Sequence, residues 1–313
     1  MILIKIFFFP GLLFLMTYAL YLQWFDRKVY ARMQNRVGPP LFQPVADFLK
    51  LLSKQTIVPS SVQEQGMFWI LPLISFAAVA TSFLFIPVTA SGPFYSFPGD
   101  LIIVAYLLTL PTLVLALAGW ISTTSYSIIG GIRCLSQLFS YEVPFFIALL
   151  VPAIAVNSWN IATIATHLPH LVATHPLYMI PLALAFFSGL IALQGKLERK
   201  PFDIPDAETE LVAGPFTEYS GRLFALFRIT LDMEMVVGIS LLSAIFLGGA
   251  NPLMGIPGFV MFLIKTLFVA FLLAAIKSAT ARIRIDQLIS FGWKILAPVS
   301  IVALLLQITM INL

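Results

Sequence analysis

The amino-acid sequence predicts an all-α integral membrane protein, with eight transmembrane helices and one amphipathic helix along the cytoplasmic interface. Three observations predict it. Hydrophobic residues make up 60% of the 313-residue chain and charged residues only 10%, where a soluble domain carries roughly 25% charged residues. The apolar residues fall into runs near the ~20 needed to cross the hydrocarbon core. Those runs are continuous rather than alternating, which favours helices over a closed barrel, the two structures that satisfy the backbone in lipid.

The spans are expected at about 2–25, 66–88, 100–122, 141–158, 176–195, 222–248, 256–278 and 290–311, within one polytopic domain. The first run lacks a small-residue cleavage site and leads straight into charged residues, so it reads as a span and not a signal peptide. Lys and Arg concentrate after odd-numbered spans: Arg27 to Lys54, Arg133, Lys196 to Arg222, and Lys277 to Arg284. The segments near 89–99, 159–175 and 249–255 hold none. The positive-inside rule then puts the charged loops in the cytoplasm and both termini outside, in a multi-pass cell-membrane protein. The net charge of +4 follows from this bias and does not argue for nucleic acid. A single cysteine, Cys134, excludes an intrachain disulfide and a cluster ligated by this chain alone. No Gly-rich phosphate loop occurs.

In chain order, the first span ends in the basic segment 26–40, where Arg27, Lys28, Arg32 and Arg36 recur at helical spacing before Gly38, Pro39 and Pro40 stop the helix. The segment reads either as a snorkelling anchor or as a docking surface for an acidic partner or a lipid headgroup. Residues 41–54 place Leu41, Val45, Phe48, Leu49 and Leu52 on one helical face; too short and polar to span, they predict the interfacial helix. Glu142 lies where the fourth span is expected to begin, beside Pro144. It reads as an acid at a helix N-terminus or, facing the bundle, as a proton-relay group. His167, His170 and His175 sit at loose metal-like spacing, without thiols or carboxylates, in a segment expected to be a solvated outer loop.

The stretch 195–222 is the unusual one. Six of the fourteen acidic residues fall there: Glu198, Asp203, Asp206, Glu208, Glu210 and Glu218. Pro205 is placed to open a short helix with Asp206 and Glu208 in its first turn, and Asp206 and Glu210 four apart on one face. Clustered and partly buried, such carboxylates cannot all ionise easily and could exchange protons near neutral pH. The alternative is a solvated loop balanced by Lys196, Arg199 and Lys200. The sixth span then carries Arg228, Asp232 and Glu234. Charges at such depth are expensive and mark function. Arg228 and Asp232 are spaced to pair, and Lys265 of the seventh span is a candidate partner for Glu234.

Four motifs carry a resemblance: DRKVYARMQNRVGPPLFQPVADFLKLL at 26–52, SYEV at 140–143, PFDIPDAETELVAGPFTEYSGRLFAL at 201–226 and RIRIDQLISFGWK at 282–294. In this order and on this topology, the chain resembles the family of NADH dehydrogenase subunit 1, the mitochondrial form of a membrane subunit that respiratory complex I shares with the related membrane-bound energy-converting hydrogenases. VGPPLFQP is shorter than the complex I form, KLERKPFDIPDAE lacks the Asn-Arg-Ala usual before PFD, and SATARIRIDQL replaces the form beginning Arg-Gly-Thr. These departures are closer to the archaeal membrane-bound hydrogenase and sulfane sulfur reductase branches.

The resemblance implies a non-catalytic membrane anchor that docks a peripheral electron-transfer arm and relays charge to antiporter-like subunits. Expected partners are peripheral subunits holding iron–sulfur clusters, a hydrogenase-like large subunit with nickel–iron in such complexes, the antiporter-like subunits, and lipid. This chain is expected to bind no cofactor or metal. The expected relay set is Glu142, Asp203, Asp206, Glu208, Glu210, Glu218, Asp232 and Glu234, with Arg27, Arg32, Arg36, Arg282 and Arg284 docking the arm. The competing expectation is a quinone-site subunit of an NADH:quinone oxidoreductase, its chamber formed by the first span, the interfacial helix and the acidic loop. A free-standing transporter is a third class, for which no inverted repeat speaks.

Overall fold

A computed structural model describes residues 2–60, 62, 64–252 and 255–312, without the side chains of Ile2 to Ile4, Glu208, Thr209 and Asn312. The helices are α1 (Ile2–Phe7), α2 (Leu12–Met33), α3 (Gln43–Ser53), α4 (Gln65–Phe83), α5 (Asp100–Ile121), α6 (Ser125–Val156) and α7 (Ile161–Thr174). They continue with α8 (Met179–Lys196), α9 (Glu208–Leu211), α10 (Gly221–Leu247), α11 (Gly258–Ala279), α12 (Ile285–Phe291) and α13 (Ala297–Asn312). A π-helical segment, Gly292–Leu296, joins the last two. Among the described residues, eight helical stretches are long and apolar enough to cross a membrane.

α10 is the axis of the bundle, packed by α2, α3, α4, α7, α8 and α11. Nearly every residue from Ile229 to Ile245 is buried, so this helix is apolar all round except at the positions that carry charge. The main core joins α2, α4, α5, α6, α8, α10 and α11 through residues such as Leu22, Phe83, Leu108, Phe145, Leu193 and Met233.

Three elements differ from the sequence expectation. The first span breaks around Pro10 and resumes as α2, which continues to Met33 and carries the basic residues on a helix. α6 begins at Ser125 rather than near 141, so Arg133 lies on a helix and Glu142 in its interior, with Pro144 and Pro152 inside it. Its first half buries Ser127, Gly130, Gly131, Cys134, Gln137, Leu138 and Tyr141, a helical stripe too polar to register as a span. At 32 residues the helix is about 48 Å long, beyond the bilayer core. The expected solvated loop 159–175 contains α7, whose Ile161, Ile164, Ala165 and Leu168 are buried. Asn160 caps it, its side chain accepting from the Thr163 amide. His167, His170 and His175 stay exposed, and no metal-binding group of three His, Cys, Asp or Glu occurs among the described residues.

α3 is the expected amphipathic helix. Phe48 packs on the core, while Leu41, Phe42 and Leu49 are exposed. A salt bridge of 3.0 Å from Arg27 to Asp47 ties it to α2.

Candidate functional site

The acidic stretch folds as a packed plug and not as a solvated loop. Phe202 and Ile204 are buried against Leu288, and the Ile283 amide donates to the Pro201 carbonyl at 3.2 Å. Tyr219 stacks on Phe68 with ring centroids 4.0 Å apart. Gly214 has φ +50, and a Cβ there would collide with the Pro205 carbonyl oxygen. Gly130 of α6 is equally constrained, since its Cβ would lie 2.8 Å from Gly214. Two glycines thus let the plug backbone press directly on α6.

The plug's carboxylates separate into different environments. Asp203 pairs with Arg282 at 3.2 Å. Glu210 accepts from Arg133 at 2.6 Å in an exposed bridge, and that bond and charge lower its pKa. Asp206 does not share a face with Glu210; it lines a polar cavity of about 370 Å³ with Gln23, Arg27, Asp47, Arg228 and Asp232. Burial alone would raise the Asp47 pKa, but hydrogen bonds from Arg27 and Gln43 hold it below the usual value. The plug-opening helix is only Glu208–Leu211. The side chain of Glu208, an expected relay group, lies outside the described residues, and Glu218 is half-buried.

Beneath the plug lies a set of buried charges. Lys196, the last residue of α8, is 1% exposed, and its Nζ donates to both Glu142 oxygens at 3.2 and 2.9 Å. The ammonium also lies 5.5 Å from the ring centroids of Tyr141 and Phe145. Glu234 is 1% exposed, and the charges acting on it are Lys196, Glu198 and Glu142. Asp26, 2% exposed, receives Arg199 at 2.9 Å and Lys277 at 2.8 Å, joining α2, the plug and α11. Glu198 accepts from the Cys134 thiol at 3.0 Å.

Several pairings expected from spacing do not form. Arg228 and Asp232 make no ion pair among the described residues; Arg228 is exposed while Asp232 is 7% exposed, and both line the polar cavity. Lys265 donates to the Gly249 carbonyl at 2.9 Å rather than to Glu234. Of the docking arginines, Arg32, Arg36 and Arg284 are exposed, while Arg27 and Arg282 are engaged in the bridges above. Asp26, Lys196, Glu198, Arg199 and Lys277 carry much of the charge network without having been expected to. Each sits at a span boundary, where the positive-inside pattern explains a cation without calling for a buried partner. The sequence signals were Asp26, an acid opening the basic segment, and the place of Glu198 in the acid-rich stretch.

Asp232 of α10 lines the polar cavity, and Glu234 of the same helix lies among the buried charges. Comparison with known proteins agrees in fold and in sequence. A family model described as NADH dehydrogenase matches residues 5–308. An NADH-quinone oxidoreductase subunit of Syntrophotalea carbinolica is 36% identical over 309 residues, covering 93% of this chain and 90% of the relative. The subunit of the same name from Carboxydothermus hydrogenoformans is 35% identical, covering 93% and 84%. A chain from the membrane-bound sulfane sulfur reductase, an archaeal respiratory membrane complex, superposes with a TM-score of 0.83 at 26% identity, covering 94% of this chain and 96% of that one. On these matches the chain belongs to the NADH dehydrogenase family, whose members include subunits of NADH-quinone oxidoreductases, and it is a multi-pass membrane member of that family.

Proposed function

We propose that this chain is the membrane anchor and coupling subunit of a multisubunit respiratory redox complex. It docks a peripheral electron-transfer arm and relays protons or charge toward antiporter-like pumping subunits. The observation that carries this reading is the cluster of ionisable groups beneath the plug, in which Lys196, Glu198 and Glu142 all act on the buried Glu234 and Lys196 is paired with Glu142. Isolated charges at such depth would be neutralised or paired; neighbours in series can hand charge along. Arg32, Arg36 and Arg284 are exposed and suit an acidic docking partner on the cytoplasmic face, with both termini outside. Iron–sulfur clusters, and nickel–iron in a hydrogenase-type complex, belong to the partner subunits in this reading.

Glu234→Gln tests it. The complex should assemble and keep soluble-dye electron transfer on its peripheral arm, while redox-driven ion translocation in vesicles falls. Glu64→Gln, exposed before α4, is the control. Wild-type translocation stoichiometry in Glu234→Gln sinks the relay. A second reading, a quinone site, is favoured by the open cavity of about 370 Å³ lined by α2, α3, α10 and the plug, and by the relatives named for quinone reduction. A photoreactive quinone that labels Phe48 or Phe224 in the assembled complex supports it; labelling unaffected by excess quinone removes it.

A further inference from the structure

We infer that Glu198 is the group at which protons pass between the acidic plug and the buried helices, and that Cys134 is the residue that positions its carboxyl group. This assignment deepens the relay reading above and rests on it. Glu198 follows the end of α8 by two residues. Its backbone is left-handed, with φ +49, a region that non-glycine residues seldom occupy. The turn is held by its amide, which donates to the Gly195 carbonyl at 3.1 Å. It directs the side chain onto α6, where the Cys134 thiol donates to Oε1 at 3.0 Å.

The choice of partner matters. Asp203 and Glu210 of the same plug each have an arginine within 4 Å, and the neighbouring Arg199 is taken by Asp26. Glu198 has no cation within that distance among the described residues, only a thiol, which is a weak donor. The charged or titratable groups facing it are Cys134 from α6, Asp203 and Asp206 from the plug, and Glu234 from α10. Glu198 is half-buried by its solvent exposure; that desolvation first, then the repulsion of Asp206 and Asp203, pushes its pKa up to about 7, against a partial lowering by the thiol bond. A carboxyl so placed is near half-protonation at neutral pH, where an acid–base group works best.

A second observation points to water around the same turn. Gln137 and Gln194 are buried, and each uses its side-chain amide NH₂ on the turn: Gln137 donates to the Gly195 carbonyl at 2.7 Å and Gln194 to the Lys200 carbonyl at 2.6 Å. Their Oε1 atoms, and Oε1 of the 1%-exposed Glu234, have no hydrogen-bond partner among the described residues. Buried oxygens of this kind are the sites that bound water satisfies. The step balances simply. Ionised Glu198 takes a proton from a hydronium ion on the plug side, becoming the neutral acid and leaving water. It then returns that proton to a water on the Glu234 side. No electrons move, and Cys134 keeps its S–H bond in both states, donating more strongly to the carboxylate than to the acid.

Because Cys134 is the one cysteine of the chain, its S–H stretch is a site-specific probe. In infrared spectra of the full chain in nanodiscs, the band should shift with pH, with a midpoint near about 7, and become pH-independent in Glu198→Gln. Cys134→Ala should move the Glu198 carboxyl C=O titration upward, and Glu198→Asp should retain a titrating band. An S–H band that ignores pH in the wild type, or that titrates equally in Glu198→Gln, overturns the assignment. Ion translocation by the assembled complex separates this claim from the broader one. Glu198→Gln should slow it at least roughly tenfold, with arm-only electron transfer intact. Translocation lost in Glu234→Gln but unchanged in Glu198→Gln overturns the role of Glu198 and leaves the relay standing. Translocation unchanged in both overturns the relay and this assignment with it.

Discussion

Neutralising one partner of the Lys196–Glu142 pair should cost far more than neutralising both. The ammonium side chain is 0% exposed and the carboxylate 10%, at 2.9 Å. Glu142→Gln leaves the ammonium buried without its bonded carboxylate, with two ring faces at 5.5 Å and the unbonded charge of Glu234 for compensation. Cation–π contacts contribute about 0.5–2 kcal/mol, short of the ~3–5 kcal/mol lost when a buried pair is broken from one side. Glu142→Gln alone, and Lys196→Met alone, should therefore each destabilise by about 3 kcal/mol. The double variant removes both desolvation penalties and should cost about 1 kcal/mol or less, since replacing a buried pair with neutral groups is often near neutral. The coupling energy is then on the order of 3–5 kcal/mol. It can be read from reversible unfolding in mixed micelles, with Glu64→Gln expected within ~0.5 kcal/mol of the parent. If the two single effects add to the double within ~0.5 kcal/mol, the side chains act independently and the pair has no part in fixing α8 on α6.

Four further variants test the charge network and the packing of the plug. Asp26→Asn should destabilise by about 3 kcal/mol, since Arg199 and Lys277 both lose their carboxylate, and the loss should show in the same unfolding assay with added protease sensitivity in the plug. Glu198 has its pKa raised to about 7 from the ordinary 4.5, so its contribution to stability is present below about pH 4.5 and is lost as pH rises through about 7; Glu198→Gln should flatten the stability-versus-pH curve in that window by on the order of 2–3 kcal/mol. Gly214→Ala places a Cβ against the Pro205 carbonyl at a positive φ and should loosen the plug, seen as faster amide exchange from 202 to 216, whereas Arg133→Gln, which breaks only an exposed bridge to Glu210, should change stability by less than ~1 kcal/mol.

The family resemblance, the eight spans and the interfacial helix were legible because hydrophobic runs and amphipathic periodicity are local properties. The plug was legible as unusual from its acid density. Its internal division was not. Asp206 and Glu210 are four apart in sequence, yet one lines the polar cavity and the other bonds Arg133, because the helix expected to hold both starts only at Glu208. Likewise α6 hid its first half: a helix that buries Gly130, Cys134 and Gln137 against the plug and α8 is stabilised by tertiary packing, and no hydropathy average registers that.

By itself the sequence determined what must lie in lipid, since a chain with 10% charged residues cannot cover its surface with polar groups in water. It also determined which few residues would be costly to bury. The tertiary structure decided how those costs are met. Asp26 takes its cations from 173 and 251 residues away along the chain, Lys196 finds Glu142 54 residues earlier, and Glu198 is left to a thiol. Ion pairing depends on distances of a few ångströms in a low-dielectric interior, and only the packing of α2, α6, α8, α10 and α11 around the plug sets those distances.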